Sequence, residues 1–154
     1  MTGPSSDVFC QVNFFSAGAI MDRNQVFSGL DLLGRLLLAA LFVTDVWTIF
    51  NNYGATGDYL AQSGVPPVLL PLAVLTQLGG GLLVAAGWQT RLAALALALF
   101  CIATALIFHS RSGDAGEAIH FWKDLAIAGG FLVVLAHGAG TYSVDAYLRR
   151  AAIG

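Results

Sequence analysis

Asp45, Gln77, His109, Lys123 and Asp124 are the residues best equipped for chemistry, because each interrupts or ends an otherwise apolar stretch. Two carboxylates, an amide, an imidazole and an ammonium can together accept, donate and carry protons. An ionisable group inside apolar sequence is costly unless it has a task or a partner. The five lie on four separate segments, so only a fold can bring them together. Convergent polar groups in an apolar setting are the mark of a binding pocket. None has metal-ligand spacing such as HxxxH, and no nucleophile has a base beside it, so no catalytic residue and no metal ligand is assigned.

Spacing adds further expectations. Asp31 and Arg35 stand four apart with the acid first, the favourable order for a structural ion pair along a helix. Lys123, Gly130 and His137 recur every seven residues, which predicts one stripe of a helix facing its neighbours. On that stripe Lys123 needs a counter-charge, and Asp45 is the first candidate with Asp124 the second. His137 lies near the other end, where a bond to a backbone carbonyl suffices.

The segments that must position these residues are apolar and long. They cover 30–50, 68–87, 92–108 and 121–138. A helix needs about 20 largely apolar residues to cross a bilayer. Because these runs are continuous rather than alternating, they predict helices and not barrel strands. The expected class is an all-α, integral membrane four-helix bundle. Composition agrees: the chain is 57% hydrophobic and only 10% charged, with a net charge of -2 that excludes a nucleic-acid partner. Cys10 and Cys101 are too far apart for a redox dithiol, and Cys101 reads as a small buried residue.

Basic residues set an expected orientation. Arg23, Arg91, Arg149 and Arg150 fall at one end of the bundle, whereas the loop after the first span has neither Lys nor Arg. The positive-inside rule then places both termini in the cytoplasm. Residues 1–28 read as a disordered N-terminal tail, 29–145 as the transmembrane domain and 146–154 as a cytoplasmic C-terminal tail. Within the first outer loop, a short interfacial helix is expected at 56–62, ended by Gly64, with Pro66 and Pro67 opening the second span. The glycine- and serine-rich stretch 110–120 reads as a loop. Packing is expected to use small residues, among them Gly81, Ala94, Ala98 and Gly130.

Several motifs in order give a resemblance. Tyr59-Leu60-Ala61-Gln62-Ser63-Gly64-Val65-Pro66, Gln77-Leu78-Gly79-Gly80-Gly81 and Gly87-Trp88-Gln89-Thr90-Arg91-Leu92-Ala93-Ala94 come first. Phe108-His109, Phe121-Trp122-Lys123-Asp124 and Gly138-Ala139-Gly140-Thr141-Tyr142-Ser143-Val144-Asp145 follow. Over about 32–145 the chain resembles the DoxX family of small bacterial membrane proteins. The resemblance implies four transmembrane helices in a bacterial inner membrane. Some relatives are subunits of thiosulfate:quinone oxidoreductase, and others associate with thiol and oxidative-stress enzymes. Similar members often carry Glu at the position of Gln77, Lys near Ile49 and Asn at the position of Asp124, so a mechanism resting on that glutamate does not carry over.

The functional expectation is a membrane subunit or anchor of a quinone- or thiol/sulfur-linked redox assembly, with no activity assigned to the chain alone. Gln77, His109 and Lys123 would hydrogen-bond quinone carbonyls between walls of Trp47, Phe108 and Trp122. No covalently bound cofactor is implied, and electrons would come from a partner enzyme. The alternative is a non-enzymatic scaffold or small-molecule carrier. A proton or ion pathway ranks third, since four helices leave little room for a pore. Beside the lipid bilayer, a redox enzyme or a second copy of the chain is the partner in view.

Overall fold

The computed structural model describes residues 6–109 and 115–152, with side chains over 25–109 and 116–152. Its elements are α1 (Ser6–Asn51), α2 (Tyr53–Gln62), a 3-10 turn (Pro67–Leu69), α3 (Leu70–Ala86), α4 (Thr90–Thr104), a π turn (Ala105–His109), α5 (Ala115–His137) and α6 (Val144–Ala151). No strand occurs among the described residues. Four stretches are long and apolar enough to cross a membrane: Gln25–Asn51, Pro67–Ala86, Thr90–His109 and Gly116–His137. The chain is an all-α four-helix membrane bundle. Its outward faces carry Leu37, Trp47, Leu75, Leu99 and Val133, all exposed. So much apolar surface needs lipid as its solvent.

Two elements differ from expectation. The backbone is helical from Ser6 onward, where residues 1–28 read as a disordered tail; side chains before Gln25 lie outside the described residues. Helix α5 begins at Ala115, so much of the loop expected at 110–120 is helical. Alanines at 115 and 118 favour helix, and Glu117 in the first turn complements the positive end of the helix dipole. The interfacial helix α2 forms where expected, and Gly64 takes the left-handed conformation (φ 79°) just beyond its end.

Helix α1 packs along α3, α3 turns tightly into α4, and α4 lies along α5. Small residues permit these approaches. A Cβ on Gly81 would already touch Phe42 and the Ala39 carbonyl, and one on Gly80 would press into Leu97. Phe42, Val84, Ala94, Leu97, Ala98, Cys101, Ala128 and Phe131 form the core, with the Phe42 and Phe131 rings 5.5 Å apart. Helix α1 touches α5 far less, meeting it where Leu38 approaches Gly130. Beyond that crossing, toward the end of the bundle that carries α2, the helices leave a space.

The opposite end, which carries α6, is clasped. Gly87 caps α3 with φ 72°, and a Cβ there would collide with the Arg35 guanidinium and Ser143. Asp145 accepts hydrogen bonds from Gln89 N at 2.9 Å, Thr90 N at 3.1 Å and Thr90 Oγ1 at 3.0 Å. A remote carboxylate thus caps the start of α4, which has no cap of its own. Burial pulls the Asp145 carboxyl upward, but these donors and the charge of Arg149 outweigh it and hold the group below its usual value. Arg35, buried, donates to the carbonyls of Val84 and Tyr142. The expected Asp31–Arg35 contact is not direct among the described residues: the guanidinium bonds these carbonyls, and Asp31 acts on it as a nearby charge. Asp31 lies where a Cβ on Gly140 would press against it. The guanidinium finds two helix- and turn-end carbonyls within reach, and those need donors. Most of the tail expected at 146–154 is helix α6, N-capped by Ser143.

Candidate functional site

The space between α1 and α5 is a cavity of about 750 Å³. All five residues singled out from sequence, Asp45, Gln77, His109, Lys123 and Asp124, line it. Helix α1 contributes Asp45, α3 contributes Gln77, the π turn His109 and α5 the last two. Tyr59 and Leu60 of α2 line its end. The Tyr59 ring stacks on Phe108 at 5.4 Å. Burial, then the nearby charge of Glu117, pushes the Tyr59 phenol up, so it stands as a neutral hydroxyl.

Pairing inside the cavity is not what spacing suggested. Gln77 Nε2 donates to Asp45 Oδ2 at 2.8 Å, and Gln77 Oε1 is buried with no hydrogen-bond partner. Lys123 is exposed and its ammonium lies 3.3 Å from His120 Nδ1. Among the described residues it pairs with neither Asp45 nor Asp124. Lys123 stays within about 20° of Gly130 around the helix and lines the cavity, but its long flexible side chain carries the ammonium outward to His120 instead of inward to a carboxylate. Only Gly130 faces the bundle closely, while His137 is exposed and lies 3.0 Å from the Val133 carbonyl.

Asp124 and His109 belong to a second network. Thr104 Oγ1 donates to Asp124 Oδ2 at 3.1 Å. His109 Nδ1 lies 2.5 Å from Glu117 Oε2, and its Nε2 lies 3.9 Å from Asp124 Oδ2. The π turn places the imidazole between these carboxylates, as such one-turn irregularities often do at functional positions. Sequence reading missed Glu117, although it is the one glutamate of the chain and stands seven residues before Asp124. With His120 between them, the i, i+3, i+7 spacing was the available signal. Trp47 and Trp122, expected as walls, are 71% and 67% exposed and do not line the cavity. Phe108 does, with Phe42, Leu69, Phe100 and Ile127.

The bundle agrees with comparisons to known proteins. The DoxX family profile matches residues 30–110. The chain is 40% identical over 119 residues to inner membrane protein YqjF of Escherichia coli (strain K12), covering 77% of this chain and 92% of that protein. It is 29% identical over 121 residues to inner membrane protein YphA of the same organism, covering 74% of this chain and 86% of the relative. No solved structure matches. The chain belongs to the DoxX family. With four spans and relatives of this kind, it is a multi-pass protein of the bacterial inner membrane.

Proposed function

We propose that the protein binds a lipid-soluble quinone or quinol in the α1–α5 cavity, as the membrane component of a redox assembly whose electrons pass through a partner. The observation that carries this reading is Gln77, a residue lining a mainly apolar cavity, whose Oε1 is buried and without a hydrogen-bond partner. A buried acceptor without a partner costs free energy, roughly 1–3 kcal/mol, which a ligand hydroxyl would recover. The volume lies within the usual range of about 300–1,000 Å³ for small-molecule sites. Aromatic and aliphatic walls suit a flat ring, and the neutral Tyr59 hydroxyl can donate to a ring oxygen.

The test is to purify the protein in lipid nanodiscs and measure co-purified quinone and the binding of added decylubiquinone and its reduced form. About one quinone per chain is expected. Gln77→Leu should weaken binding of the reduced form by about tenfold, the loss of one hydrogen bond. No quinone above that of empty nanodiscs, and no binding of either added form, would overturn the reading.

A further inference from the structure

We propose that Glu117, His109 and Asp124 form a proton relay from the water-facing surface at the α2 end of the bundle to the wall of the cavity. The three side chains become less exposed in that order, at 31%, 19% and 16%. His109 Nδ1 is 2.5 Å from the Glu117 carboxylate, and Nε2 faces Asp124 at 3.9 Å. An imidazole with a carboxylate at each nitrogen can take a proton on one side and give one up on the other. The longer gap needs one intervening water or a small turn of the ring. His109 and Asp124 line the cavity and Glu117 does not, so the chain of groups has an outer and an inner end.

The surroundings fit a proton that arrives and leaves rather than a fixed clamp. Thr104 Oγ1 donates to Asp124 and steadies its carboxylate. The His120 ring lies 5.4 Å from that of His109, with the Lys123 ammonium beside it. From α1 the group that faces this region is Asp45, already held by Gln77, and from α2 it is the Tyr59 hydroxyl. Each hop moves one proton from carboxyl to imidazole nitrogen, or from the opposite nitrogen to carboxylate. The donor is left as carboxylate or neutral imidazole, and no electron moves. Such a hop line needs no pore, so four helices suffice.

The relay rests on the cavity being the working site, but its test needs no ligand. In nanodiscs, the protonated carboxyl band of Asp124, assigned by its loss in Asp124→Asn, is followed by infrared spectroscopy while H₂O is exchanged for D₂O. Wild-type protein should exchange this proton at least tenfold faster than His109→Gln, which keeps hydrogen bonds without titrating near neutrality. Glu117→Gln should slow exchange as well. A merely structural role predicts unchanged exchange rates in variants that remain folded by circular dichroism, and that result would overturn the relay. Failure here leaves the quinone reading standing, and failure of quinone binding leaves the relay standing.

Discussion

Gln77 holds Asp45: its Nε2 donates to Asp45 Oδ2 at 2.8 Å, joining α1 to α3 within the membrane. A neutral amide thus does the work that a cation was expected to do. The choice has a consequence at the other end of the same side chain. With Nε2 committed to the carboxylate, Oε1 points elsewhere and stays without a partner. The same contact that ties two helices together therefore leaves an unmet acceptor on a residue that lines the cavity.

This contact predicts where energetic coupling lies. In a double-mutant cycle on thermal stability in detergent, Asp45→Leu and Gln77→Leu should couple by about 1 kcal/mol or more, as hydrogen bonds to charged groups do. Lys123→Met and Asp45→Leu should be additive within about 0.5 kcal/mol. Coupling of the second pair as strong as the first would contradict the geometry.

What the sequence revealed and what it hid follow from the range of each signal. The spans, the helix in the first loop and the polar residues of the cavity depend on composition and local spacing, and these were legible. Partners were not. The repeat puts Lys123 on the cavity side with Asp45, but where the end of a flexible four-carbon side chain settles is not set by spacing, and the ammonium lies beside His120. Arg35 pairs with carbonyls of Val84 and Tyr142, the second of them 107 residues away, and no local pattern points that far. Glu117 was hidden because glycine and serine around it suggested a loop, so its helical spacing to Asp124 went unused.

Two glycines with the same backbone handedness should respond differently to a methyl group. Gly64 has φ 79° and open space around a would-be Cβ, whereas Gly87 has φ 72° and Arg35 and Ser143 against it. Gly64→Ala should cost about 1 kcal/mol, from backbone strain alone. Gly87→Ala should cost roughly 2–4 kcal/mol, because it adds displacement of a buried guanidinium and of the α6 cap. Equal losses in thermal unfolding would show that the clasp yields easily.

The basic residues predict which side the clasp faces. Arg91, Arg149 and Arg150 lie at the clasped end, so that end should be cytoplasmic. Ala118, exposed near the start of α5, is a suitable reporter. With Cys10 and Cys101 replaced by alanine, a cysteine at position 118 should react with an impermeant maleimide added outside the inner membrane of spheroplasts. Reaction only after the membrane is opened would reverse the orientation.

Asp145 gives the bundle a specific acid sensitivity. Its folded value is depressed: burial acts upward first, and the N–H groups of Thr90 and Gln89, the Thr90 hydroxyl and Arg149 more than offset it. A depressed folded value means the folded state prefers the charged form. The stability it contributes is therefore complete above the unfolded value, near pH 4, and is lost as pH falls through the folded value below that. At pH 7, Asp145→Ala should lose about 1–2 kcal/mol, the range measured for helix caps, because the start of α4 is left without acceptors. Asp145→Asn should fall between the two, since an amide oxygen can still cap but brings no charge. Urea unfolding across pH 7 to 3 separates the contributions: the gap between wild type and Asp145→Asn should shrink below about pH 4, as protonation makes the two side chains alike. A gap that stays constant down to pH 3 would mean that Asp145 holds the clasp by shape alone, and that the α4 N-terminus gains nothing from its charge.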